Sequence, residues 1–266
     1  NLHYVDEGEG SPMLMVHGNP TWSFYYRHLI QAFRGHFRCV VPDHMGCGLS
    51  DKPQSYSYVL ETHIQNLIKL VRFLGLKDIT LVVHDWGGAI GMGLATRHPE
   101  LIKRVVILNT AAFLSPDIPR RIALCRAGRL GEALVRGLNG FAWPATFMAV
   151  ERRLPRIVKQ AYLAPYDSWA NRIAVARFVQ DIPLETTHPS YATLATIEAN
   201  LPRVTAPKLI LWGGQDFCFH EGFYRRWREI YPAAEAHYFA SVGHYVLEDA
   251  PRKTIEAMVA FLGRTP

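Results

Sequence analysis

The chain has 266 residues, 49% of them hydrophobic and 20% charged, which excludes a disordered or collagen-like polymer and fits a single sizeable α/β core. No stretch approaches the roughly 18 consecutive apolar residues that a membrane-spanning helix requires, so an integral membrane protein is not expected. The formal charge of +6 suggests polyanion binding, but between Ala111 and Asn200 the 11 Lys and Arg are interspersed with 7 Asp and Glu, the pattern of a solvated helical surface; no nucleic-acid motif is present.

In chain order, short β-branched or apolar runs alternate with helical stretches. Met13 to Val16, Phe37 to Val41, Ile79 to Val83, Val105 to Leu108, Leu209 to Leu211 and Ala236 to Phe239 read as strands. Trp22 to Phe33, Tyr58 to Leu74, Gly87 to His98, Phe223 to Tyr231 and Arg252 to Leu262 read as the helices between and after them. Such alternation predicts a mostly parallel sheet with helices on both faces. It breaks between about Ser115 and Thr205, a span with helical spacing, punctuated by Pro119, Pro144, Pro155, Pro165, Pro183 and Pro202 among others and with no convincing strand, which reads as a helical cap at the ligand-binding end of the sheet. The expected organisation is therefore a core of residues 1–114 and 205–266 and a cap of residues 115–204. The sequence starts at Asn1 without a methionine, so removal of an N-terminal segment is expected. Few residues precede the Met13 strand, and a first edge strand is expected to be missing, leaving an exposed sheet edge. Cys39, Cys47, Cys125 and Cys218 are scattered without a C-x-x-C pair, and free thiols in a reducing cytoplasm are the expectation.

The densest chemical signal is Ile79-Thr-Leu-Val-Val-His-Asp85-Trp-Gly-Gly: a buried strand, an aspartate, then glycines opening a helix. This is a nucleophile elbow with Asp85 in place of serine. Asp85 alone reads more readily as an ordinary helix N-cap, and the rest of the set shifts the reading. His17-Gly18-Asn19-Pro20 follows the Met13 strand, where an oxyanion-binding loop is expected, so Asn19 should face Asp85; its plainer reading is a turn residue before proline. His17 reads as a hydrogen-bonded structural histidine. Asp216 follows the Leu209 strand and His244 follows the last one, giving the chain order nucleophile, acid, histidine. Gly46-x-Gly48 lacks the helix and third glycine of a dinucleotide site and reads as a loop, Phe24, Tyr25, Leu29 and Phe33 read as core packing, and no cluster suggests a protein-bound metal.

Together, His17-Gly-Asn-Pro-Thr-Trp-Ser-Phe, Pro42-Asp-His-Met-Gly-Cys-Gly-Leu-Ser-Asp-Lys-Pro, His84-Asp-Trp-Gly-Gly and Gly243-His-Tyr resemble the haloalkane dehalogenases of the α/β-hydrolase family, over essentially the whole chain. The cap phrases Leu134-Val-Arg-Gly-Leu-Asn-Gly-Phe, Pro165-Tyr-Asp-Ser-Trp-Ala-Asn-Arg-Ile and Phe178-Val-Gln-Asp-Ile-Pro are most similar to the β-lactone decarboxylases of bacterial long-chain olefin biosynthesis. The resemblance implies Asp85 as nucleophile, His244 as base, Asp216 as its partner, and Asn19 with Trp86 as side-chain N–H donors to the leaving anion. It implies an apolar small-molecule substrate, no cofactor, and association with other olefin-pathway enzymes, while the basic face of the cap could equally serve a membrane surface. β-Lactone decarboxylation ranks first and haloalkane hydrolysis second. Val83 stands where a serine esterase would carry glycine, and Asn109 is not acidic, which leaves the triad acid to Asp216. An epoxide hydrolase would need cap tyrosines, for which Tyr162, Tyr166 and Tyr191 are available; a ligand receptor on the same scaffold would not need the intact triad.

Overall fold

The computed structural model of the chain describes residues 1–265. Seven strands form one sheet in the order β1-β3-β2-β4-β5-β6-β7: β1 (Tyr4–Glu7), β2 (Ser11–Val16), β3 (Phe37–Pro42), β4 (Ile79–Asp85), β5 (Ile102–Thr110), β6 (Lys208–Gly213) and β7 (Glu235–Phe239). All pairings are parallel except β1 with β3. The central strands read as largely apolar runs because both faces are covered. Leu14, Val16, Leu81, Val83, Val105 and Ile107 enter one core, whereas Met13, Met15, Val82, Val106 and Leu108 enter the other. Alternate residues thus serve opposite faces, as the period of two in a strand requires.

The helices are α1 (Arg27–Phe33), α2 (Leu60–Phe73), α3 (Trp86–Arg97), α4 (Arg120–Arg126), α5 (Gly128–Glu132), α6 (Ala142–Met148), α7 (Arg156–Leu163), α8 (Ile173–Gln180), α9 (Tyr191–Asn200), α10 (Glu221–Ile230), α11 (Val246–Asp249) and α12 (Pro251–Arg264). On one face, α2, α3, α9 and α10 contribute Ile64, Leu94, Ile197 and Trp227 to the core; on the other, α1 and α12 contribute Leu29 and Met258. Among the described residues no helix is long and apolar enough to cross a membrane.

Two features differ from the sequence expectations. A strand does precede Met13: Tyr4–Glu7 pairs antiparallel with β3, and Asp6 accepts two hydrogen bonds from Arg38, at 2.8 and 2.6 Å. Its half-buried, acidic character hides it from a search for apolar runs. Second, the segment between β5 and β6 holds helices and loops and no strand among the described residues, but its last helix, α9, packs against α2 and α3 in the helical layer that covers the sheet. Helices α4 to α8 enclose a small core of their own around Cys125, Val135, Tyr166 and Val179.

This helical segment is tied back to the core at the end of α8. There Asp181, 5% exposed, accepts from the backbone N–H of Leu60 at 2.7 Å and from Ser190 Oγ at 2.7 and 2.8 Å. Asp181 thus satisfies an orphan donor at the start of α2. Burial raises its pKa to about 7, against the pull of these same hydrogen bonds.

Candidate active site

Asp85 ends β4 and precedes α3 with φ at +52°, a conformation costly for any side chain other than glycine. The turn is held shut by its surroundings. Thr110 Oγ1 donates to the Asp85 carbonyl, while the Thr110 carbonyl accepts from the Trp227 indole N–H at 2.8 Å. A side chain at Gly87 would collide with the Val16 carbonyl, and one at Gly88 with Thr110 Oγ1, so the elbow requires both glycines. Asp85 Oδ1 accepts from the backbone N–H of Asn19 at 2.5 Å.

His244 lies beyond β7 with its ring between two carboxylates. Its Nδ1 is 2.7 Å from Asp216 Oδ2 and its Nε2 is 3.6 Å from Asp85 Oδ2. Asp216 follows β6, and its Oδ1 accepts from the backbone N–H groups of Cys218 and Phe219 at 2.7 and 3.0 Å. Burial opposes charge on all three groups, and it prevails only at Asp85, whose pKa is raised despite the nearby His244 and the N–H donors. At His244 burial pulls the pKa down, but Asp216 and then Asp85 outweigh it and the imidazolium is favoured. At Asp216 burial pushes the pKa up, while the charge of His244 and the donors to its oxygens bring it below the ordinary value.

Three residues that the sequence did not single out for this site brace it. Asn109, at the end of β5, donates from Nδ2 to Asp216 Oδ2 at 2.9 Å and accepts through Oδ1 from Gly213 N–H at 2.7 Å. A polar Asn109-Thr110 pair closing an otherwise apolar buried strand is the available sequence signal for the first two. His84, buried, approaches the His244 carbonyl at 3.0 Å through Nε2 and stacks between Tyr25 and the His244 ring, with centroids 4.4 and 4.5 Å away. Burial, then the charge of His244, holds the His84 pKa well below its ordinary value, so it acts as a neutral donor.

A cavity of about 370 Å³ opens above Asp85 and His244. Its walls are chiefly apolar, including Phe113, Leu134, Phe141, Val179, Phe219 and Phe223, and Asn19 and Trp86 lie on its floor beside Asp85. The Asn19 amide donates from Nδ2 to the Val175 carbonyl at 3.1 Å, and its buried Oδ1 is without a partner among the described residues. His17 is a structural residue, as expected from the sequence: Nδ1 meets the Gly18 carbonyl at 2.7 Å, Nε2 accepts from His44 N–H at 3.1 Å, and burial lowers its pKa to about 4. The cap tyrosines are not placed for epoxide opening. Tyr162 is bound to Glu248 and Tyr166 points at the Thr21 carbonyl, 3.4 Å away, and neither they nor Tyr191 line the cavity.

The family model described as the alpha/beta hydrolase fold matches residues 11–251. The chain is 50% identical to the cis-3-alkyl-4-alkyloxetan-2-one decarboxylase of Shewanella oneidensis, over 99% of this chain and 86% of that protein. It is 34% identical to haloalkane dehalogenase 2 of Mycobacterium tuberculosis, over 98% of this chain and 91% of that one. Among solved structures, the haloalkane dehalogenase DatA of Agrobacterium tumefaciens superposes with a TM-score of 0.89 at 26% identity, over 100% of this chain and 93% of that chain. An aspartate elbow, a carboxylate-paired histidine and an apolar cavity on a doubly wound sheet, joined to these full-length similarities, place the chain in the α/β-hydrolase family, in the branch that holds β-lactone decarboxylases and haloalkane dehalogenases.

Proposed function

We propose that the chain decarboxylates cis-3,4-dialkyl β-lactones to an alkene and CO2, the reading carried by its 50% full-length identity to a decarboxylase of such oxetanones against 34% to a dehalogenase. The Asp85 carboxylate attacks the sp³ ring carbon that bears the ring oxygen. One carbon–oxygen bond forms to Asp85 and one breaks to the ring oxygen, leaving an alkyl-aspartate with a free carboxylate on the neighbouring carbon. The carbon–carbon bond to that carboxylate then breaks, its electron pair becomes the alkene, and the bond to Asp85 is released as the aspartate carboxylate. No water is consumed and no net proton moves.

The roles assigned to the other side chains follow from this sequence of charges. Trp86 and Asn19 lie beside Asp85, where the developing carboxylate needs donors, and the Asn19 amide carries a second N–H beyond the one on Val175. The His244 imidazolium, favoured by Asp216, stabilises the aspartate that departs in the second step. Residues 115–204 act as the lid that keeps the alkyl chains dry, with α9 as their return to the core. The enzyme is proposed to work in the cytoplasm beside the enzyme that supplies its lactone.

The test is gas chromatography with mass detection after incubation with a cis-3,4-dialkyl β-lactone, against an enzyme-free control for thermal breakdown. Enzyme-dependent alkene is the expected product. A β-hydroxy acid or no product refutes the proposal, and halide release from bromoalkanes would then favour the dehalogenase.

A further inference from the structure

Helix α6 has two sides with different tasks. Pro144, Ala145 and Met148 line the cavity above Asp85, whereas Trp143 and Phe147, one turn apart, face outward at 55% and 47% exposure with ring centroids 4.9 Å apart. Helix α7 packs along α6 and adds Ile157, 72% exposed. The segment 151–160 that joins and forms this hairpin carries Arg152, Arg153, Arg156 and Lys159 against one acid, Glu151. None of these four cations has an ion-pair partner among the described residues, in contrast to Arg126 and Arg136, which are held by Glu185 and Glu132. Arg153, Arg156 and Lys159 line one shallow cleft with Leu154 and Pro155.

Aromatic side chains left in water beside like charges left unpaired are individually unfavourable, and an anionic bilayer relieves both at once. The rings enter the acyl boundary while lipid phosphates neutralise the cations. The patch carries four cations against one acid beside its rings, closer to the composition of a lipid-facing surface than to the mixed polar rim of a protein interface. The same helix walls the cavity on its inner side, and that cavity is also lined by the exposed Leu124 and Phe217.

We infer that the outer face of α6 and α7 seats the protein on an anionic lipid bilayer, so that an apolar substrate reaches Asp85 from the membrane. The docking rests on the surface alone, and only the direction of substrate entry rests on the proposed decarboxylation.

Flotation of the purified full chain with vesicles tests it, comparing mixed phosphatidylglycerol and phosphatidylcholine with phosphatidylcholine alone. Binding to the anionic vesicles, weakened by added salt, is expected. Each cation near such a surface is worth about fivefold in partitioning, so the triple variant R153E/R156E/K159E should bind at least about a hundredfold more weakly. The variant W143S/F147S, which leaves the cations intact, should also lose binding. Both should turn over a short-chain, water-soluble β-lactone at the parental rate, which shows that they are folded. Equal binding to neutral vesicles, no vesicle binding, or undiminished binding by the triple variant overturns the inference; the second outcome leaves the face to a protein partner. Absence of alkene from the parental chain would instead refute the proposed function and leave the vesicle result standing.

Discussion

The carboxyl group of Asp181 joins the helical segment over the cavity to the N-terminus of α2, and its environment predicts a specific response to pH. Its pKa rises from an ordinary 3.8 to about 7 because burial penalises the charged form. The folded protein therefore holds a proton that the unfolded chain releases, and stability from this group is complete below about pH 4 and lost as pH rises through about 7. At about 1.36 kcal/mol per pKa unit the whole effect is about 4 kcal/mol, of which about 2 kcal/mol disappears between about pH 5.5 and about pH 8. Asp181→Asn keeps an oxygen for the Leu60 N–H and gives Ser190 Oγ an amide donor, but cannot ionise. Urea unfolding of both proteins at the two pH values isolates the titration, because oppositely signed contributions, such as that of the depressed Asp216, are common to both. The variant should gain about 2 kcal/mol relative to the parent on going from the lower to the higher pH. A stability difference independent of pH would show that the carboxylate is equally easy to ionise folded and unfolded, and the burial argument would fail.

Other outcomes follow from the site. Asp85→Ala should lower alkene formation by at least about 10⁴-fold, measured by product chromatography, since among the described residues Asp85 is the lining carboxylate that faces His244; near-parental turnover would contradict the mechanism. His244→Phe separates the two chemistries by intact-protein mass. With a β-lactone, covalent adduct should accumulate only weakly, because loss of the imidazolium slows fragmentation but the step needs no activated water, whereas a dehalogenase acting on a bromoalkane would build up alkyl-enzyme. Asn109→Leu leaves the Gly213 N–H and one face of Asp216 without their partner, and should cost about 1–3 kcal/mol in urea unfolding; an unchanged midpoint would remove Asn109 from the bracing role.

The residues most legible in sequence were those whose chemistry demands a position in the fold. Buried parallel strands must be apolar on both faces, so five of the central runs stand out, and polar residues such as Asp85 and Asn19 at their C-terminal ends have little reason to be there except for a ligand. His17 was legible for the same reason, as a polar side chain whose neighbours could satisfy it. Tyr4–Glu7 was not, because an edge strand with exposed acids lacks the apolar pattern that marks its neighbours. Nor was the placement of α9 within the core layer. Its buried Leu194 and Ile197 match the spacing of the preceding cap helices, and only Gly93, where a side chain would strike Ile64 and Ile197, records the close approach. In the sequence Asn109 stands out only for the charge it lacks. Its function is set by partners 104 and 107 residues away, which no local pattern encodes.

The same triad can serve two reactions because the outcome is decided in the adduct. An alkyl-aspartate made from a haloalkane has no internal electron pair to expel Asp85, so it persists until a water activated by His244 attacks the ester. The adduct from a β-lactone carries its own carboxylate one carbon away, and loss of CO2 supplies that pair within the molecule. Asp216 beside the Nδ1 of His244 steadies positive charge on that ring, which the departing aspartate of the second case would draw on. The chiefly apolar walls of the cavity favour the route that consumes no water. Decarboxylation on this scaffold requires no new catalytic group, only a substrate that brings its own leaving CO2 and a cavity that admits both alkyl chains.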